Sequence, residues 1–286
     1  MCLPRFLSVT GLAASVFMLG AVLVAAVLPA SSETVSTPRD AQGFFERGNR
    51  FMEIGNTDRA LADSTEALRR DPGHFDSTIN RGIAWQTQGN YLRAVADFDA
   101  AIRLNPSDAS AFAHRGNALH LLGDDDRALA DYDRAVALDP NDPCTLFNRG
   151  IVHDKKGRFG AAIADYSEAI RLQPDYAAAF NNRGIAWKHS KDSERALADF
   201  EAALRFGREI ADYYINRGNL RDDRGDTKGA IDDYSEAVRL RPDYALAHDL
   251  RARAIRKAGN ATAAAPDAAA LRNMHPFSNN FSRTEE

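Results

Sequence analysis

The sequence predicts an all-α protein, an α-solenoid of antiparallel helix pairs stacked one against the next. Three observations predict it. Arg-Gly recurs every 34 residues, at Arg47-Gly48, Arg81-Gly82, Arg115-Gly116, Arg149-Gly150, Arg183-Gly184 and Arg217-Gly218, and a fixed period of that length marks a helical-repeat array. Alanine follows each glycine at twelve and nineteen residues, as in Ala94 with Ala101 and Ala162 with Ala169. Between them, at sixteen, sits a ring: Phe98, Tyr132, Tyr166, Phe200 and Tyr234, with Ser64 in the first block. Such spacing puts small and large residues on one helix face, as interlocking helices require. Turn signals supply the third observation. Gly55, Gly89, Gly123, Gly157 and Gly225 suit the left-handed residue that ends a helix, and Pro72, Pro106, Pro140, Pro174 and Pro242 close the second helix.

Taken in order, residues 1–32 are of a different composition. Arg5 is the one charge, ahead of an almost wholly apolar run from Phe6 to Leu28 and the small residues Ala30-Ser31-Ser32. This is the layout of a signal peptide or of a retained transmembrane anchor, and the basic start favours an outward-facing body. The expectation is an extracytoplasmic protein, periplasmic or secreted, tethered to the membrane by residues 6–28 if they are kept. Residues 33–40 are polar and read as a linker. Six blocks follow without insertion: 41–74, 75–108, 109–142, 143–176, 177–210 and 211–244.

The fifth block carries Lys191 for the turn glycine and Arg208 for the closing proline, yet keeps its length. Residues 245–278 keep register but have Ala252 at the glycine position, and Pro266 is expected to interrupt the second helix, as in a worn terminal cap. Residues 279–286 form a polar tail, expected to be disordered. Cys2 and Cys144 outline no disulfide framework and no paired-thiol metal site, and read as incidental.

A large residue four before the glycine (Phe44, Phe112, Leu146, Phe180, Tyr214), then the glycine, the alanines, the ring and the proline together resemble the tetratricopeptide repeat. The resemblance covers 41–244 in six copies and 245–278 as a degenerate seventh. It implies a right-handed superhelix whose first helices line a concave groove that binds a partner protein or an extended peptide.

The chain departs from that family where an apolar residue usually precedes the glycine. Here every block has arginine, and fifteen residues after the glycine every block has aspartate. Opposite charges that recur together suggest contact: Arg81 with Asp97, Arg115 with Asp131, Arg149 with Asp165, Arg183 with Asp199, Arg217 with Asp233. The expectation is a structural ladder of partly buried pairs, either within a repeat or between neighbours. A guanidinium can hold a carboxylate by two hydrogen bonds.

Two residues before the glycine lies a row of Asn80, His114, Asn148, Asn182 and Asn216. It resembles the asparagine ladder in the repeat half of O-linked N-acetylglucosamine transferases, where amides hold the backbone of an extended peptide. An amide offers both a donor and an acceptor, which matches a peptide group. Ile83, Phe147, Ile151 and Ile185 beside the row would supply apolar pockets. The competing reading is that the asparagines satisfy one another and the isoleucines are inter-repeat core.

Composition narrows the function. The chain has 286 residues, 44% apolar and 27% charged, with a net charge of −4 spread evenly, so no basic stripe suggests nucleic acid. No His-Glu-x-x-His spacing, phosphate-cradling glycine loop or nucleophile elbow is present. The seven histidines read as lone helix-surface residues. The expectation is a non-enzymatic interaction scaffold without cofactor or metal, touching the membrane only through its N-terminal segment. The alternatives are an accessory subunit of a cell-envelope enzyme complex and a self-associating structural solenoid.

Overall fold

A computed structural model describes residues 38–260 and 262–274. The segment expected to be a signal or anchor and the C-terminal tail lie outside the described residues. Among the described residues the protein is all-α, with fourteen α-helices, one 3-10 turn and no strand, and no helix is long and apolar enough to cross a membrane. The chain divides between Leu138 and Asp139 into two compact units.

In the first unit α1 (Ala41–Glu53) packs on α2 (Thr57–Arg70), α3 (Phe75–Thr87) on α4 (Tyr91–Leu104), and α5 (Ala109–Leu121) on α6 (Asp125–Leu138). Side chains start the helices: Asp40, Asn56, Asn90 and Asp108 each accept from a backbone N–H three residues on. Such a cap is worth about 1 kcal/mol. Gly55, Gly89 and Gly123 end the first helices with φ of 74°, 76° and 85°. The first helices also touch each other, α1 with α3 and α3 with α5, whereas the second helices make no comparable contact. The first helices therefore lie on the inner side of the bend in this unit.

The second unit repeats the pattern. It contains α7 (Pro143–Lys155), α8 (Phe159–Leu172), α9 (Ala177–His189), α10 (Ser193–Phe206), α11 (Ala211–Asp223), α12 (Thr227–Leu240), α13 (Ala245–Lys257) and α14 (Ala265–Met274). Again α7 touches α9 and α9 touches α11 on the inner side. Lys191 takes the place of the turn glycine by adopting the left-handed conformation itself, at φ 64°.

Two expectations are corrected here. Pro266 does not interrupt a helix: it sits in the first turn of α14, directly after the 3-10 turn Thr262–Ala264. A proline lacks the N–H that a first turn leaves unused, so it fits there, and the helix begins later instead of breaking. His248 is no surface histidine; it is 6% exposed and hydrogen-bonded on both ring nitrogens.

The core of the second to sixth pairs is a ring lying on a glycine. A Cβ on Gly82 would come 2.5 Å from Phe98, one on Gly150 2.6 Å from Tyr166, and one on Gly218 2.7 Å from Tyr234. The alanine twelve residues on contributes its carbonyl to the same contact at Gly116 and Gly184. Glycine inside a helix costs about 0.5–1 kcal/mol, and burying a large apolar side chain gains about 1.5–3 kcal/mol, so the exchange favours the fold. In the first pair Ser64 replaces the ring, and Gly48 has no neighbour nearer than 3.4 Å.

Candidate partner-binding face

The Arg-Gly step fixes the ladder. Because the glycine receives the ring, the arginine before it meets the aspartate before that ring. Arg47 reaches Asp63 through Nε at 2.7 Å and Nη2 at 2.6 Å. The same fork joins Arg81 to Asp97, Arg115 to Asp131, Arg149 to Asp165, Arg183 to Asp199, Arg217 to Asp233 and Arg251 to Asp267. Every pair lies within one helix pair. The aspartates are buried, at 2–6% exposure, while the arginine side chains keep 18–27%. The hydrogen bond that Arg47 donates to Asp63 raises the pKa of Arg47, and the one that Arg81 donates to Asp97 raises that of Arg81. Some arginines also reach back to the neighbouring pair, Arg115 Nη1 to Asp99 at 2.6 Å and Arg183 Nη1 to Ser167 at 3.0 Å.

In the terminal pair Asp267 also accepts from His248 Nδ1 at 2.7 Å. Burial pushes its carboxyl up, but the hydrogen bonds from Arg251 and His248 outweigh that and hold it below the ordinary value.

The amide row divides by burial. Asn80, Ile83, Phe147 and Asn148 are 3–5% exposed and lie within their repeats. His114, Ile151, Asn182, Ile185 and Asn216 are half-buried, Ile185 packing against Phe200 and Leu220. Several amides bind one another across neighbouring pairs. Asn80 donates to Asn49 and Asn216 to Asn181 at 2.8 Å, while within α9 Asn181 donates to Asn182 at 3.1 Å. Asn117 and Asn219 accept from the phenols of Tyr132 and Tyr234. Burial pushes both phenols up, so they stay protonated donors. The ring of His114 stacks on Phe98, and Phe147 packs against Tyr166 and Tyr176.

A further row went unread in the sequence. Near the ends of the first helices Lys188 pairs with Asp223 at 2.7 Å, Asp222 with Lys257 at 2.7 Å, and Asp154 with His189 at 3.6 Å. Partners stand 35 residues apart, one period plus one residue, and that offset was the available signal. The charges of the Lys188–Asp223 and Asp222–Lys257 pairs neutralise one another between neighbouring helices of the second unit. Burial raises the pKa of the Asp154 carboxyl against the lowering influence of His189. Among the described residues no group of three His, Cys, Asp or Glu side chains is placed to hold a metal ion.

The family model described as tetratricopeptide repeat matches residues 45–91, 86–143 and 215–278, together more than half of the chain, and a second, described as TPR repeat, matches 154–188. No curated protein matches. Among solved structures the chain is similar to the APC/C hetero-tetramer Cut9–Hcn1, with 20% identity and TM-score 0.68 over 76% of this chain and 43% of that one. It spans less than half the length of that relative. It is also similar to PilW, a type IV pilus biogenesis factor, with 20% identity and TM-score 0.66 over 73% of this chain and 96% of that one. A third is YrrB, described as a TPR protein with an unusual peptide-binding site, with 25% identity and TM-score 0.50 over 58% of this chain and 86% of that one.

Proposed function

The chain belongs to the tetratricopeptide repeat family, and we propose that it is a non-enzymatic scaffold that holds an extended segment of a partner protein along its first helices. Proteins of this family act as protein-interaction scaffolds, and nothing here points to catalysis. The reading rests on one contact: Asn216 of α11 donates to Asn181 of α9, beside the half-buried Asn182, where neighbouring first helices meet. Amides there can bond a peptide group. The peptide-binding site described for YrrB supports the choice of ligand.

The charges flanking this face are paired within the protein, so recognition rests on amide contacts, not on net charge. Residues 6–28 support an extracytoplasmic location, with the body held at the membrane if they are retained. The test is capture of partners from native cells by the wild type and by an Asn182→Ala, Asn216→Ala double variant, with melting followed in parallel. Loss of one captured protein with melting kept is the expected outcome. Equal capture by a folded variant would contradict the reading.

A further inference from the structure

We propose that a cleft bounded by α2, α3 and α4, beside Arg81, binds a carboxylate. Two edges of each ladder arginine, Nε and Nη2, are used on the aspartate sixteen residues later. In two of them the third edge, Nη1, reaches the residue sixteen earlier: Asp99 for Arg115 at 2.6 Å and Ser167 for Arg183 at 3.0 Å. For Arg81 the residue sixteen earlier is Thr65, whose hydroxyl donates to the Leu61 carbonyl at 2.8 Å, as Ser167 does to Ile163, but receives no hydrogen bond from Arg81. Among the described residues Nη1 of Arg81 donates to no protein group; its hydrogen bonds go from Nε and Nη2 to Asp97.

Open space lies at that edge. A cleft of about 370 Å³ is lined by Arg81, Arg69, Thr65, Thr78, Leu68 and Ala100, among others. Arg81 is 27% exposed, whereas Arg47, Arg115, Arg149, Arg183, Arg217 and Arg251 are at 18–20%. Arg69 also lines the cleft, with its Nε and Nη2 held by Glu66. Leu68 and Ala100 give an apolar wall for the stem of the ligand.

The chain itself shows the chemistry that fits. Arg115 holds two carboxylates at once, Asp131 on one side and Asp99 on the other. The cleft at Arg81 is the place of Asp99 left vacant by a threonine. A singly charged planar group suits it: each lining arginine is already matched by one carboxylate, so a doubly charged phosphate has less to gain. The natural source of such a group is an Asp or Glu side chain of a partner protein. This site uses the second helices α2 and α4, and stands independently of the peptide reading above.

The experiment follows the arginine side-chain Nη resonances of the full chain by NMR while acetate is added at constant ionic strength with chloride. The expected result is a saturable shift at Arg81, with Arg115 and Arg183 unmoved. Thr65→Asp should supply the missing carboxylate from within, move the Arg81 signals toward those of Arg115 and abolish the response to acetate. Ala100→Leu, which leaves every arginine partner in place, should abolish it by filling the cleft, and serves if Thr65→Asp fails to fold. A shift linear in acetate, or equal at all ladder arginines, would overturn the proposal. So would a response kept in Ala100→Leu, or one to inorganic phosphate and not to acetate.

Discussion

Arg183 and Asp199 meet through two hydrogen bonds of 2.8 Å each, with the aspartate 6% exposed and the arginine at the rim with 20%. The unequal burial predicts unequal costs. Arg183→Ala strands a buried carboxylate and should cost about 3–5 kcal/mol. Asp199→Ala leaves a guanidinium that water can reach, and should cost less, about 1–3 kcal/mol. In a double-mutant cycle read by denaturant unfolding the two costs should fall well short of adding. Additive costs would mean that the pair contributes nothing as a pair.

Ring-on-glycine packing predicts opposite signs for one substitution at two equivalent positions. Gly150→Ala drives a methyl into Tyr166 and should destabilise by about 1–3 kcal/mol. Gly48→Ala meets Asp63 Cβ at 3.4 Å, an ordinary contact, and should be neutral or stabilise by up to about 1 kcal/mol through helix propensity. Thermal melting of the two variants decides; equal effects would remove the ring from the explanation.

Lys191 at φ 64° carries strain that its glycine counterparts avoid. A side chain in the left-handed region costs roughly 1–2 kcal/mol, part of which glycine returns as unfolded-state entropy, about 0.4–1 kcal/mol. Lys191→Gly should therefore raise stability by about 0.5–1 kcal/mol. A fall in melting temperature would show that the lysine side chain itself holds the turn.

The terminal pair should respond to acid. Asp267 has a folded-state pKa below its ordinary value, so its contribution is present above the unfolded carboxylate's pKa, about 4, and is lost as pH falls through the lowered folded value. Hydrogen exchange in α13 and α14 should quicken on acidification below about pH 4. His248→Gln removes one lowering partner, and should move the Asp267 titration upward in an NMR measurement of its carboxyl carbon. An unmoved titration would rule out the His248 contact.

The fold was legible because its determinants repeat in register: an arginine, a glycine, an aspartate and a ring at constant offsets can meet in one way only if every pair is alike. That Arg183 bonds within its own pair, and also reaches Ser167 of the preceding one, needed the structure, because both neighbours stand sixteen residues away. The amide row was harder for a similar reason. Asn80 bonds a residue 31 positions back and Asn216 one 35 positions back, so the period places the row on a face without choosing its partners. Pro266 looked like a break because a helix start cannot be located by offset alone when no capping residue marks it. The Lys188–Asp223 pair escaped notice because its two members alternate in sign along the chain, which hides them from a column-by-column reading.

Self-association through the C-terminal end is disfavoured by composition. On α12, Ile231, Tyr234 and Val238 belong to the cluster that packs with α13 residues Ala247 and Ala254, whereas the equivalent positions on α14 are Ala265, Ala268 and Arg272. Little apolar area remains to receive another pair. Sedimentation should show no concentration-dependent mass that depends on these three residues; growth lost on Ala268→Asp would say otherwise.

The claim on which the rest depends is that a partner lies along the inner face of the first helices. Site-specific photo-crosslinking in native cells tests it most directly, with the reactive residue at Asn216 on the inner face of α11 and, for comparison, at the exposed Arg205 on α10. One discrete adduct from position 216 and none from 205 is the predicted result. Adducts from 205 alone, or the same spread of adducts from both, would contradict it.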